Sequence, residues 1–163
     1  MMKRVIATII LSLFLGMQMP PAATLTLRGI IVPYGSYCII NDGNTLEVSF
    51  GTIESDKIDG VNYLTDIPWT FQCHVIEQDM HNPVALKYEG TPTSYSSDAI
   101  ATSIDGLGIV LQQDGEVFRP GDTLVLPNRR TQPALKAVPV KQPGKNLAGG
   151  HFDAYAVLIM EVQ

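Results

Sequence analysis

Short runs in which apolar and polar residues alternate recur along the chain, whereas a 3.6-residue period is nearly absent. Leu25-Thr26-Leu27-Arg28 alternates and leads through Gly29 into Ile30-Ile31-Val32. Thr45-Leu46-Glu47-Val48-Ser49-Phe50 alternates and stops at Gly51. Period two is the side-chain repeat of a strand, and further strands are expected at 67–75, 84–88, 108–112, 116–118, 123–126 and 134–138. Asp114-Gly115 between two of these runs is a strong hairpin signal. Only 54–59 and 97–103 carry a weak helical pattern. Turn residues recur about every ten positions, which is the spacing of an all-β, immunoglobulin-like sandwich.

The last run is the most informative. From Gly150 to Gln163 the chain reads as one strand, with Phe152, Ala154, Ala156, Leu158, Met160 and Val162 on one face. The opposite face holds Tyr155, Val157 and Ile159. A strand apolar on both faces is expected deep in a sheet, with neighbours on each side. A terminus more often lies at an edge, which leaves a second molecule as the source of one neighbour.

The other end carries an address rather than a fold. Met1-Met2-Lys3-Arg4 is basic, 5–16 is apolar, Pro20-Pro21 ends any helix and Ala22-Ala23 offer a cleavage point. This is the layout of a secretory signal peptide, and the apolar run is shorter than the roughly 20 residues of a membrane span. Residues 1–23 are therefore set aside, and 24–163 are expected to form one domain with a single core. Without Lys3 and Arg4, 9 of the 11 Lys and Arg remain against 16 Asp and Glu, a formal charge of −7. That argues against a nucleic-acid or anionic-membrane surface. Arg129-Arg130, the adjacent basic pair in this part of the chain, is expected in a solvated loop.

Export also means an oxidising compartment, so Cys38 and Cys73 are expected to form one structural disulfide, worth roughly 4 kcal/mol on the chain-entropy model. No catalytic constellation is present. His74, His81 and His151 lie in separate segments without a nucleophile-elbow or zinc-protease pattern. Asp105-Gly106-Leu107-Gly108 lacks the lysine and following helix of a phosphate loop, and Asp56, Asp59 and Asp66 miss the EF-hand spacing. No enzyme activity, metal or cofactor is expected.

Four segments, in this order, resemble the subunits of chaperone–usher pili. They are 25–33 ahead of Cys38, the stretch from Cys38 to Phe50-Gly51, Gly108-Ile109-Val110-Leu111 with Asp114-Gly115, and Gly149-Gly150-His151-Phe152-Asp153-Ala154-Tyr155-Ala156. The last is similar to a Gly-x-Phe-x-Ala-x-Ala terminal strand. The likeness spans essentially all of 24–163 and is closest to the minor, adaptor-type subunits of P and type 1 pili. It implies an incomplete immunoglobulin-like sandwich that lacks its final strand and takes one from a partner, a form of β-augmentation. Phe152, Ala154, Ala156, Leu158, Met160 and Val162 would line or support the groove, and a chaperone would anchor the Gln163 carboxylate. Leu25, Leu27, Gly29 and Ile31, within 24–33, would act as a donor strand in a neighbour. The implied partners are a periplasmic chaperone, an outer-membrane usher and adjoining subunits or a tip adhesin, with no nucleic acid and no membrane insertion. The implied route is export to the periplasm and then a cell-surface fimbria.

Val162 stands where the family usually has an aromatic residue. The chain is too short to hold a lectin domain as well, which points away from a two-domain adhesin. A single-domain adhesin or fibre-terminating subunit is the alternative if 24–33 cannot donate. A self-contained secreted β-sandwich is the alternative if every strand is paired.

Overall fold

A computed structural model describes residues 35–163, so the expected signal segment and the 24–33 strand lie outside the described residues. The strands are β1 (Tyr37–Ile40), β2 (Thr65–Asp66), β3 (Phe71–His74), β4 (Val84–Gly90), β5 (Ala99–Ala101), β6 (Leu107–Gln113), β7 (Glu116–Phe118), β8 (Thr123–Leu126), β9 (Leu135–Lys141) and β10 (Ala156–Val162). The larger sheet runs β2-β9-β6-β5 with β7 on β6, the smaller runs β10-β4-β8, and β1 pairs with β3 alone. Cys38 and Cys73 are direct cross-strand partners in that last pair and form the disulfide.

Period two places Val84, Leu86 and Tyr88 of β4, Ile109 and Leu111 of β6, Leu135 and Ala137 of β9, and Met160 of β10 in one core. Trp69, Phe118 and Leu126 complete it. Val110, Ala99 and Val138 form a second, small cluster on the outer side of the larger sheet. This explains why β6 is apolar at consecutive positions: both of its faces are covered. Gly108 allows the close approach, since a Cβ there would lie 2.7 Å from Thr93 Cγ2 and 2.8 Å from Tyr95 Oη. Gly108→Ala is expected to cost about 1–3 kcal/mol by overpacking, read as a lower urea midpoint at an unchanged slope.

Several elements differ from the pattern, and the strand expected over 67–75 forms only at Phe71–His74. Residues 97–103 contain β5, not a helix, because Ala99–Ala101 pairs with Gly108–Val110. Residues 54–59 hold only a 3-10 turn at Ser55–Lys57. Residues 45–50 alternate between exposed and half-buried yet join no ladder.

The brevity of β2 has a local cause. Ile67 N–H donates to Leu135 O at 2.9 Å, so in the alternating backbone of β9 the groups of Leu135, Ala137 and Pro139 face β2. Thr65 opposes Ala137, and the next partner along would be Pro139 facing Tyr63. Proline has no N–H to give, and the chain leaves the sheet at Tyr63, whose φ is +67°.

Candidate functional site

Two stretches marked as strands by their alternation lack a backbone partner, and they lie together. Gln163 N–H donates to Pro83 O at 2.9 Å. In an antiparallel ladder this parity turns Val157, Ile159 and Glu161 toward β4. Ala156, Leu158, Met160 and Val162 then present N–H and C=O to the opposite side, where no described strand pairs with them. Likewise Asn41 N–H donates to Thr70 O at 2.8 Å, so the backbone groups of Cys38 and Ile40 point away from β3. Beyond β1, Leu46, Val48 and Phe50 are half-buried while Thr45, Glu47 and Ser49 are exposed. Leu46 and Phe50 pack on the same core as Phe152, Ala154, Leu158 and Val162. The Phe50 and Phe152 ring centroids are 6.0 Å apart.

The result is a narrow slot: the unpaired backbone edge of β10 over an apolar floor, with β1 alongside. Residues of β1 come within 8 Å of β10 between Cα atoms. That is less than the roughly 9.5 Å of two ladder spacings, so a strand paired to both would have to part them.

Other edges are blunted, as free edges usually are. Strand β8 has four residues, between Pro120 and Pro127, and β2 has two. The far side of β5 is taken by 91–93, through Thr93 N–H to Ala99 O and Ala101 N–H to Thr91 O, both 2.8 Å. Strand β10 offers seven residues and no proline.

The residues singled out at the C-terminus are partly brought together. Met160 is buried, Phe152, Ala154, Leu158 and Val162 are half-buried, and Ala156 and Gln163 are exposed. The expected strand over 150–163 is not continuous. Asp153 O accepts from Ser103 N–H at 2.9 Å and Ala154 bridges Thr102, so the chain crosses from the larger sheet to the smaller at Tyr155. Nor does β10 sit deep in a sheet: it is an edge among the described residues, with Tyr155 83% and Val157 56% exposed. Leu25, Leu27, Gly29 and Ile31 lie outside the described residues.

Two features escaped the pattern. Arg129 does not sit in a solvated loop; its guanidinium donates to the carbonyls of Asp79, Met80 and Asn82, pinning the turn that precedes β4. Nothing in its neighbours 128–131 signals a partner nearly 50 residues away. Asn41 and Asn44 clamp the turn after β1 with side-chain hydrogen bonds, although Asn-Asp-Gly-Asn does announce a turn.

Beside the slot, burial pushes the Tyr88 phenol above its ordinary value of 10.0. The folded state thus keeps the proton while unfolded chains lose it. Stability is fully present below about pH 10 and falls above it, by at most about 1.4 kcal/mol per pH unit. The Tyr88 hydroxyl has no hydrogen-bond partner among the described residues. Tyr88→Phe is therefore expected to be neutral, or stabilising by up to about 1 kcal/mol, and to flatten the alkaline loss in melts from pH 9 to 11.

Among the described residues no group of three or more His, Cys, Asp and Glu is placed to hold a metal ion, and no helix is long and apolar enough to cross a membrane. Comparison with known proteins follows the same line. The fimbrial protein family matches residues 26–163. YfcQ, a fimbrial-like protein of Escherichia coli (strain K12), is 34% identical over 128 residues, which cover 77% of this chain and 79% of that protein. The structure of the P pilus adaptor subunit PapF superposes with a TM-score of 0.60 at 22% identity, covering 80% of this chain and 98% of that one. The P pilus rod subunit PapA gives 0.59 at 20% identity, covering 87% of this chain and 100% of that one. An incomplete β-sandwich with the pilin fold, and a family match along nearly all of it, identify a structural protein rather than an enzyme: the chain belongs to the fimbrial protein family.

Proposed function

We propose that this protein is a minor, adaptor-type subunit of a chaperone–usher fimbria, completed by a strand that another molecule adds to β10. The observation that carries the proposal is the seven-residue edge of β10, unpaired among the described residues, above an apolar floor on which Leu46 and Phe50 of the unpaired 45–50 segment also pack. An added strand would gain main-chain hydrogen bonds to Ala156, Leu158, Met160 and Val162, and its alternate side chains would pack on the apolar floor that Phe50, Phe152 and Leu158 share. A periplasmic chaperone supplies that strand first, and the N-terminal extension of a neighbouring subunit replaces it at the usher. Gln163, exposed beside Pro83, would meet the chaperone. Residues 24–33, with Leu25, Leu27, Gly29 and Ile31 on one alternating face, would play the donor part toward a neighbour or a tip adhesin. The fold is shared with the adaptor PapF and with the rod subunit PapA alike.

The test is periplasmic expression of the oxidised chain with and without a chaperone of the pilus type. Loss or aggregation alone, with recovery as a one-to-one complex, is the expected result. A soluble monomer that melts cooperatively and ignores the chaperone would end the proposal.

A further inference from the structure

We infer that the turn from Asn41 to Asn44 is a positioning device for strand uptake: its side-chain clamp sets where the unpaired 45–50 segment lies on the apolar floor it shares with β10. The inference rests on reading the slot as a strand acceptor. Asn41, Asp42 and Gly43 have φ of +48°, +52° and +80° in succession. L-residues take that left-handed region singly and at a cost, and Gly, Asn and Asp are the types that tolerate it. A run of such residues persists only where the surroundings hold it.

The surroundings do so here. Asn41 Nδ2 donates to Asn44 O at 3.2 Å and to Thr45 O at 3.3 Å. Asn44 Nδ2 returns a bond to Asn41 O at 3.2 Å, and Asn44 N–H adds one at 2.9 Å. Gln72 Nε2 donates to Asp42 Oδ1 at 3.2 Å, which ties the turn to β3.

What lies on either side gives the clamp its consequence. Before it, β1 is fixed to β3 by a ladder and the disulfide. After it, 44–50 joins no ladder among the described residues and is held through Leu46 and Phe50. A segment with no ladder of its own takes its course from the turn that launches it, here the one that Asn41 and Asn44 hold. Asn41 is thus a positioning residue: it acts through the backbone that an incoming strand must pair with.

The probe is a synthetic peptide of residues 24–33, added to the oxidised full chain in complex with its chaperone, with chaperone release followed over time. Asn41→Gly keeps the left-handed backbone and removes the clamp, and Asn44→Ala removes the returning bond. Both variants are expected to slow peptide-driven release by about tenfold, the scale of losing one or two such hydrogen bonds. Hydrogen exchange should rise at 46–50 but not in β1 or β3, and the melting temperature of the complex should stay put. Release at the unmodified rate by both variants would overturn the inference and leave the slot reading intact. An unmodified chain that binds neither the chaperone nor the peptide would overturn both.

Discussion

The double substitution C38S/C73S is expected to remove roughly 4 kcal/mol of folding stability, the chain-entropy value for the 35-residue loop that the bridge closes. A domain of this size holds about 5–15 kcal/mol in all, so the variant should sit near its unfolding threshold at 37 °C. The effect should also be uneven. Strands β1 and β3 make a separate two-stranded sheet, and such a pair is marginal on its own. Their amides should therefore lose exchange protection before those of β4, β6 and β9, which surround the main core. Urea titrations of the oxidised and substituted chains give the first quantity, and hydrogen exchange gives the order. A loss below about 1 kcal/mol would mean that the reduced, unfolded chain is already restrained in this loop.

Proline scanning of β10 should separate the two sides of that strand. The N–H of Ala156 faces the open side and that of Val157 faces Glu89 on β4, by the parity that Gln163 and Pro83 set. Ala156 is exposed and opens the strand, a place where proline is tolerated. Ala156→Pro should therefore shift stability by no more than about 0.5 kcal/mol. It should weaken chaperone or donor-peptide binding about tenfold, because one edge donor is gone and a ring stands in its place. Val157→Pro breaks a β10–β4 bond instead and should cost about 2–3 kcal/mol of folding stability. Equal losses of stability from the two prolines would refute the assigned parity. Unchanged binding by Ala156→Pro would place strand addition elsewhere.

Alternation made most of the sandwich legible, because a period of two depends only on which side of a sheet is covered. Val84–Gly90, Leu107–Gln113, Glu116–Phe118 and Thr123–Leu126 form close to where the pattern puts them. The disulfide needed only two cysteines and a signal-like N-terminal segment. Pairing was harder to read, because a ladder needs a partner and alternation does not. Residues 45–50 have the side-chain pattern of a strand without a neighbour to bond, and 150–163 divides because Asp153 and Ala154 belong to one sheet and Ala156 to Val162 to the other. Ala99-Ile100-Ala101 is too short to show a period, and its register opposite Gly108, Ile109 and Val110 decides its state. The slot itself depends on residues about 100 positions apart in sequence, Phe50 and Phe152, and no local pattern encodes their meeting.

The prolines at the other edges have a consequence for whatever this molecule builds. A monomer's valency decides between a line and a network. Pro139 halts β2, Pro120 and Pro127 bracket β8, and backbone already fills the side of β5, so the seven residues of β10 are the longest unpaired edge among the described residues. On the proposed reading, with β10 as the one acceptor of each molecule, every addition would use up the reactive edge it finds. The product would lengthen or stop without branching.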